Sequence, residues 1–80
     1  MKMDKFLIYS KVGCTYCDKL SALMDSKGIG YTKLTLGEDY TTDDFVEKFG
    51  RTTFPRVLLN DEVIGGMRET AQYLVKNNYV

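Results

Sequence analysis

Apolar positions along the chain repeat with two different periods, and the change from one to the other outlines the elements. Phe6-Leu7-Ile8-Tyr9 is an unbroken apolar run. Lacking polar alternation, it predicts a strand over Lys5–Ser10 that is buried on both faces and central in its sheet. Leu20, Leu23, Met24 and Lys27 then recur at helical spacing and predict a helix from Thr15 to Lys27. Gly28-Ile29-Gly30 ends it, the first glycine suiting a left-handed cap. Tyr31 to Leu36 alternates, with Thr32, Leu34 and Leu36 on one side and Lys33 and Thr35 on the other, as a half-exposed strand does. Strand, helix and strand of these lengths predict a parallel βαβ unit with a right-handed crossover.

The second half reads less regularly. Gly37 to Tyr40 is expected to be a polar connection, and Thr41-Thr42-Asp43-Asp44 has the hydroxyl cap and first-turn acids of a helix start. Phe45, Val46 and Phe49 face inward in that helix, and Gly50 closes it. After Arg51-Thr52-Thr53-Phe54-Pro55 comes an apolar strand, Arg56 to Asn60, then an Asn60-Asp61 turn and a short return strand, Glu62-Val63-Ile64. Gly65-Gly66 breaks this hairpin. A last helix from Met67 or Arg68 to Asn77 is expected to bury Ala71, Leu74 and Val75. Pro55 is tolerated at a strand start. The pattern alone gives no reason to expect a cis bond there, a state of about 5–6% of X-Pro bonds.

Composition narrows the class. Eighty residues without repeat, linker or low-complexity segment are expected to form one domain, 1–80, with a small core. Eleven basic and eleven acidic residues cancel, so no general field draws nucleic acid or an anionic membrane. Locally the balance fails: residues 38–47 hold five acids and no base. A solvated helix face with favourable dipole placement is the favoured reading, a patch for a partner the other. The start of the chain is charged and the first apolar run only four residues long, too short for a signal-peptide core or a membrane span. The expected compartment is the cytoplasm, where disulfides are usually transient and catalytic.

That expectation bears on the cysteines. There are two, Cys14 and Cys17, placed where the first strand gives way to the first helix. Cys14 falls at the helix cap, where unpaired amides and the positive end of the dipole favour a thiolate over a thiol. Cys17, three residues before Leu20, shares the core-facing stripe. Cys14 is thus expected to be the exposed nucleophile and Cys17 its shielded resolving partner. An ordinary thiol has a pKa near ~8.5, which a helix N-terminus and a nearby cation can lower by several units. Lys11 can supply that cation. With no histidine in the chain, a Cys–His nucleophile pair is excluded. A purely structural staple is a poor use of so short a loop, about 2 kcal/mol against about 4.7 for a loop of ~100 residues. A zinc site lacks its second ligand pair. Dithiol redox chemistry is the reading that remains strongest.

Taken together, Tyr9-Ser10-Lys11, Cys14-Thr15-Tyr16-Cys17, Arg51-Thr52-Thr53-Phe54-Pro55 and Ile64-Gly65-Gly66 resemble the dithiol glutaredoxins, over nearly the whole chain. The resemblance implies an α/β thioredoxin/glutaredoxin fold, a four-stranded mixed sheet flanked by three helices in the order β-α-β-α-β-β-α. It implies a cis Phe54–Pro55 bond that turns the backbone of Thr53 and Phe54 outward beside the cysteines. It also implies glutathione as reductant and co-substrate. Lys11 and Tyr16 would flank it, Thr53, Phe54 and Pro55 would hold its cysteine segment, and Met67, Arg68 and Glu69 would take its γ-glutamyl end. Free amides at a helix start suit a carboxylate, and Glu69 suits an α-ammonium.

The function so implied is glutathione-dependent reduction of protein disulfides and glutathione mixed disulfides by a monomer, ribonucleotide reductase being one implied partner. Thr15 stands where proline is common in the family, adding an amide within reach of the Cys14 sulfur. Phe54 stands where valine is usual, and Arg68 where a small or acidic residue is more common. Members without that proline can bridge an iron–sulfur cluster between two subunits, so a cluster carrier is the second reading. A redoxin reduced by thioredoxin reductase is the third.

Overall fold

The computed structural model describes residues 5–79; the expectations for the charged start at residues 1–4 lie outside them. Seven elements follow in order: β1 (Phe6–Ser10), α1 (Thr15–Ser26), β2 (Tyr31–Thr35), α2 (Thr42–Phe49), β3 (Arg56–Leu59), β4 (Glu62–Gly65) and α3 (Met67–Lys76). The four strands form one sheet in the order β2-β1-β3-β4. β1 runs parallel to β2 and antiparallel to β3, which pairs antiparallel with β4. The unbroken apolar run is therefore central, as its lack of alternation predicts.

The sheet has two unlike faces. Phe6 and Ile8 of β1 and Val57 and Leu59 of β3 point one way, where Leu20 and Met24 of α1 and Leu74 of α3 close over them. Burying each such side chain contributes about 1.5–3 kcal/mol. Tyr9 points the other way and meets the rings of Tyr40 at 5.0 Å and Phe49 at 4.9 Å, both edge-on. α2 covers that second face.

Local chemistry sets the ends of the helices. Thr41 caps α2 in a reciprocal box, its hydroxyl accepting the Asp44 amide while the Asp44 carboxylate accepts the Thr41 amide. Gly28, just past α1, takes the left-handed conformation expected of it, with φ +67°. Asn60 and Asp61 both have positive φ, 51° and 71°, as a tight hairpin turn between antiparallel strands requires.

Three expectations from the pattern are corrected. Val75 is 62% exposed. It lies one residue, about 100°, around α3 from Leu74, so the stripe that reaches the sheet passes it by. Tyr40 is not part of a merely polar connection: it is buried, and its hydroxyl donates to the Ser10 carbonyl. Lys33 is half-buried on an edge strand because its ammonium reaches α1, 3.2 Å from both Asp18 Oδ1 and Ser21 Oγ.

Candidate active site

Strand register brings three chain segments to one end of the sheet. Tyr9 pairs with Arg56, so the exit of β1 toward Cys14 lies beside the Thr53–Pro55 segment that enters β3. Val57 pairs with Gly65, so the chain leaves β4 for α3 at the same end. Residues separated by more than fifty positions in sequence thus surround one point.

Cys14 occupies that point as the N-cap of α1, with extended backbone (φ −83°, ψ 104°), and its sulfur accepts the Cys17 amide at 3.1 Å. The sequence suggests Thr15 as that donor; the structure uses Cys17, one turn on, as an N-cap side chain ordinarily does. Cys14 and Cys17 are joined in a disulfide. In this oxidised state Cys14 is only 7% exposed, a correction to the expectation of an exposed nucleophile, while Cys17 is fully buried at 0%. The bond to Cys17 holds the Cys14 sulfur over the helix end and out of water. Cys14 is nonetheless the sulfur nearer to solvent, as an attacking pair requires.

Around the disulfide the expected residues divide. Tyr16 projects outward at 60% exposure beneath the Lys19 ammonium, 5.8 Å from its ring centre. Lys11 is exposed, and its ammonium sits 5.1 Å over the Phe54 ring. Phe54 stacks on Phe45, with centroids 4.4 Å apart and planes at 20°. The Phe54–Pro55 bond is cis, and Pro55 is buried. Met67 is partly buried and packs against the main core, while Arg68 is exposed.

Glu69 differs most from its expected part. Its carboxylate turns back on the cap of α3 and accepts the Gly66 amide at 2.8 Å. Hydrogen bonds from the Gly66 and Glu69 amides hold it below the usual carboxylate range, with smaller help from Arg56 and Arg68. One of the helix-start amides is thus already engaged, leaving those of Met67 and Arg68, which have no acceptor within the helix.

Sequence reasoning missed Arg56. It reads as the first residue of a strand, yet its guanidinium donates to the Thr53 carbonyl at 3.0 Å and the Thr53 hydroxyl at 3.3 Å. A Cβ added at Gly66 would stand 3.4 Å from that guanidinium and 3.3 Å from the Glu69 carboxylate. Arg56 therefore spans the Thr53 loop and the start of α3, and only strand pairing, invisible in one sequence, reveals it. Among the described residues no group of three or more His, Cys, Asp or Glu is placed to hold a metal ion. An iron–sulfur cluster, which takes four ligands, would draw some of them from outside this chain.

Known proteins share this arrangement. The family model described as Glutaredoxin matches residues 6–64. Glutaredoxin 3 of Escherichia coli K12 is 35% identical over 60 residues, covering 74% of this chain and 72% of that protein. The hybrid peroxiredoxin hyPrx5 of Haemophilus influenzae is 35% identical over 70 residues, covering 88% of this chain and 29% of that protein. This chain thus spans under a third of that relative's length. Among solved structures, glutaredoxin 1 from Francisella tularensis, complexed with cacodylate, aligns at TM-score 0.80 over 98% of this chain and 100% of that one, at 22% identity. A buckwheat glutaredoxin–glutathione complex aligns at 0.73 over 95% and 72%, at 23% identity. At such identities the likeness speaks for the thioredoxin/glutaredoxin fold. The family match spans most of the strands and both cysteines, and with a capped Cys14 bonded to a buried Cys17 it leads to one conclusion: the chain belongs to the glutaredoxin family, and Cys14 and Cys17 are its thiol–disulfide oxidoreductase pair.

Proposed function

We propose that the chain reduces protein disulfides and glutathione mixed disulfides in the cytoplasm, as a monomer, with glutathione as reductant. The Cys14 thiolate attacks a sulfur of the substrate disulfide, forming a mixed disulfide and expelling the other sulfur as thiolate, which takes up a proton. Cys17, deprotonated as it attacks, then displaces the bound thiol and leaves the Cys14–Cys17 disulfide. Two glutathione thiols return the pair to the dithiol and leave as one glutathione disulfide. On a glutathione mixed disulfide Cys14 suffices: it takes the glutathionyl group and frees the target thiol, and a second glutathione releases it.

The observation that carries this reading is the Cys14 sulfur at the cap of α1, accepting the Cys17 amide. An amide aimed at sulfur stabilises the thiolate more than the thiol, at both the attacking and the leaving stage. Glutathione would lie with its cysteinyl backbone along Thr53 and Phe54 and against Pro55. Its γ-glutamyl carboxylate would meet the amides of Met67 and Arg68, its α-ammonium Glu69, and its glycyl end Lys11, with Tyr16 alongside. The glutathione complex of the buckwheat relative supports that choice of ligand.

The test compares wild type with two variants on a small glutathione mixed disulfide and on a protein disulfide. Cys14→Ser is expected to lose both activities. Cys17→Ser keeps the first and loses the second; equal losses from the two variants overturn the roles. Ultraviolet titration of the reduced Cys17→Ser protein should find Cys14 ionised well below the ordinary thiol value of ~8.5. Turnover coupled to thioredoxin reductase and not to glutathione would remove glutathione from the account.

A further inference from the structure

On the face of the sheet that α2 covers, bounded by α2 and the segment from Arg51 to Phe54, runs an open groove of about 810 Å³. Its floor is apolar, from Leu36, Phe45, Val46 and Phe54, and Asp43 and Glu47 stand on its rim. Among the described residues neither acid is ion-paired; the ion pair present is Lys33–Asp18, on α1. Asp39 and Asp44 accept backbone amides close by, adding negative charge without neutralising it. Arg51 is the one cation lining the groove.

Phe54, which lines the groove, is linked through Lys11 to the loop that carries Cys14. The Cys14 amide donates to the Lys11 carbonyl at 3.3 Å, and the Lys11 ammonium lies over the Phe54 ring. That ring stacks on Phe45 in the floor. Phe54 therefore joins the groove to the loop that delivers Cys14, directly before Pro55. A smaller residue at this position would leave a gap between Pro55 and α2; the aromatic ring carries apolar surface across it.

Glutathione, laid along Thr53 and Phe54, reaches only the near edge of this groove and does not match the part that α2 lines. It is small, carries net negative charge and has no large apolar group, whereas the groove has an aromatic floor and an acidic rim. We propose that the groove docks the polypeptide of the protein substrate: a basic stretch bearing an aromatic or large aliphatic side chain, next in sequence to the disulfide under attack. The proposal rests on the thiol–disulfide exchange proposed above and names its preferred substrate class. The apolar side chain would fill the floor and the flanking cations would face Asp43 and Glu47, where complementary charge chiefly raises the rate of productive encounter.

The experiment uses two synthetic peptides, each with one internal disulfide and one aromatic residue beside it, differing only in whether lysines or glutamates flank that residue. A small glutathione mixed disulfide with no peptide arm is the control. At low ionic strength, kcat/KM for the basic peptide should exceed that for the acidic one by about tenfold, a difference that shrinks as salt screens it. In Asp43→Lys/Glu47→Lys the preference between the two peptides should invert, and retained turnover of the control shows that the variant is folded. Equal rates on both peptides with wild type overturn the proposal, as does an unchanged preference in the double variant. Failure of wild type on the small control would instead strike the glutathione reading, so the two can fail separately.

Discussion

The two faces of the sheet are held by different kinds of contact. On the face covered by α1 and α3, Ile8, Leu20, Met24, Val57 and Leu74 form a fully buried aliphatic centre, with the rings of Phe6, Tyr73 and Tyr79 in contact at its edge. On the face covered by α2, a cluster of rings does the packing: Tyr9, Tyr40, Phe45, Phe49 and Phe54, several of them only half-buried. The first face can be sealed because α1 and α3 are 12 and 10 residues long and lie side by side. The second has one helix of eight residues, and its rings remain accessible at their edges. Stability is concentrated on the first face. The second leaves apolar surface uncovered, and it is there that substrate recognition is proposed.

Truncation separates the faces most sharply. Leu74→Ala empties a fully buried site between α3 and the sheet and should cost about 2–5 kcal/mol, read as a lower midpoint in denaturant with an unchanged slope. Phe49→Ala removes a half-buried ring in contact with Tyr9 and Phe45, and should cost about 2 kcal/mol. If the second loss equals or exceeds the first, the proposed division between the faces is wrong.

The same contrast explains what could be read in the sequence. The first face follows from periodicity: Phe6 and Ile8 alternate, Leu20 and Met24 sit four apart, and the order of all seven elements emerges with ends within a residue or so. The cysteines are legible because their chemistry depends on local position, a cap and one turn of helix. The second face depends on contacts between distant residues. Tyr40 follows three polar or flexible residues and looks solvated until its partner, the Ser10 carbonyl thirty positions earlier, is in place. Arg56 looks like any strand residue until the pairing of β3 with β4 brings Gly66 and the start of α3 beside its guanidinium. The cis bond at Pro55 came from the family resemblance, because nothing in its neighbours' pattern encodes it.

Tyr40 offers a smaller test, confined to the ring-packed face. Burial pushes its phenol up to about 12, with Tyr9 and Asp39 adding to the effect. An unfolded tyrosine ionises near ~10, so between there and the folded value the unfolded state alone sheds a proton and stability falls as pH rises. Tyr40→Phe should lose about 1 kcal/mol near neutrality, for the hydrogen bond to Ser10. It should also flatten the decline above pH ~10 relative to wild type. The Ser10 carbonyl keeps the Leu36 amide, 2.9 Å away, which limits the loss. Parallel alkaline limbs in the two proteins would mean that the phenol is not held neutral by the fold.

The smallest effect is expected at Glu69, and it joins stability to the site. Its carboxylate is held below the ordinary range first by the Gly66 amide, then by its own amide, with Arg56 and Arg68 assisting. A carboxylate whose folded value is depressed stabilises the fold above its unfolded pKa of ~4.3, and that contribution is lost as pH falls through the folded value. Glu69→Gln keeps an oxygen for the Gly66 amide but cannot ionise. Its stability should lie slightly below wild type near neutrality, and the difference should close as pH falls below ~4, because only wild type has a charge-dependent contribution to lose there. In the exchange reaction the two carboxylate roles separate. If Glu69 only caps α3, Gln leaves KM for a glutathione mixed disulfide unchanged; if it also meets the glutathione ammonium, KM rises while kcat holds. A fall in kcat at unchanged KM would fit neither role, since it would place Glu69 in the chemistry at sulfur, where Cys14 and the Cys17 amide already account for the charge.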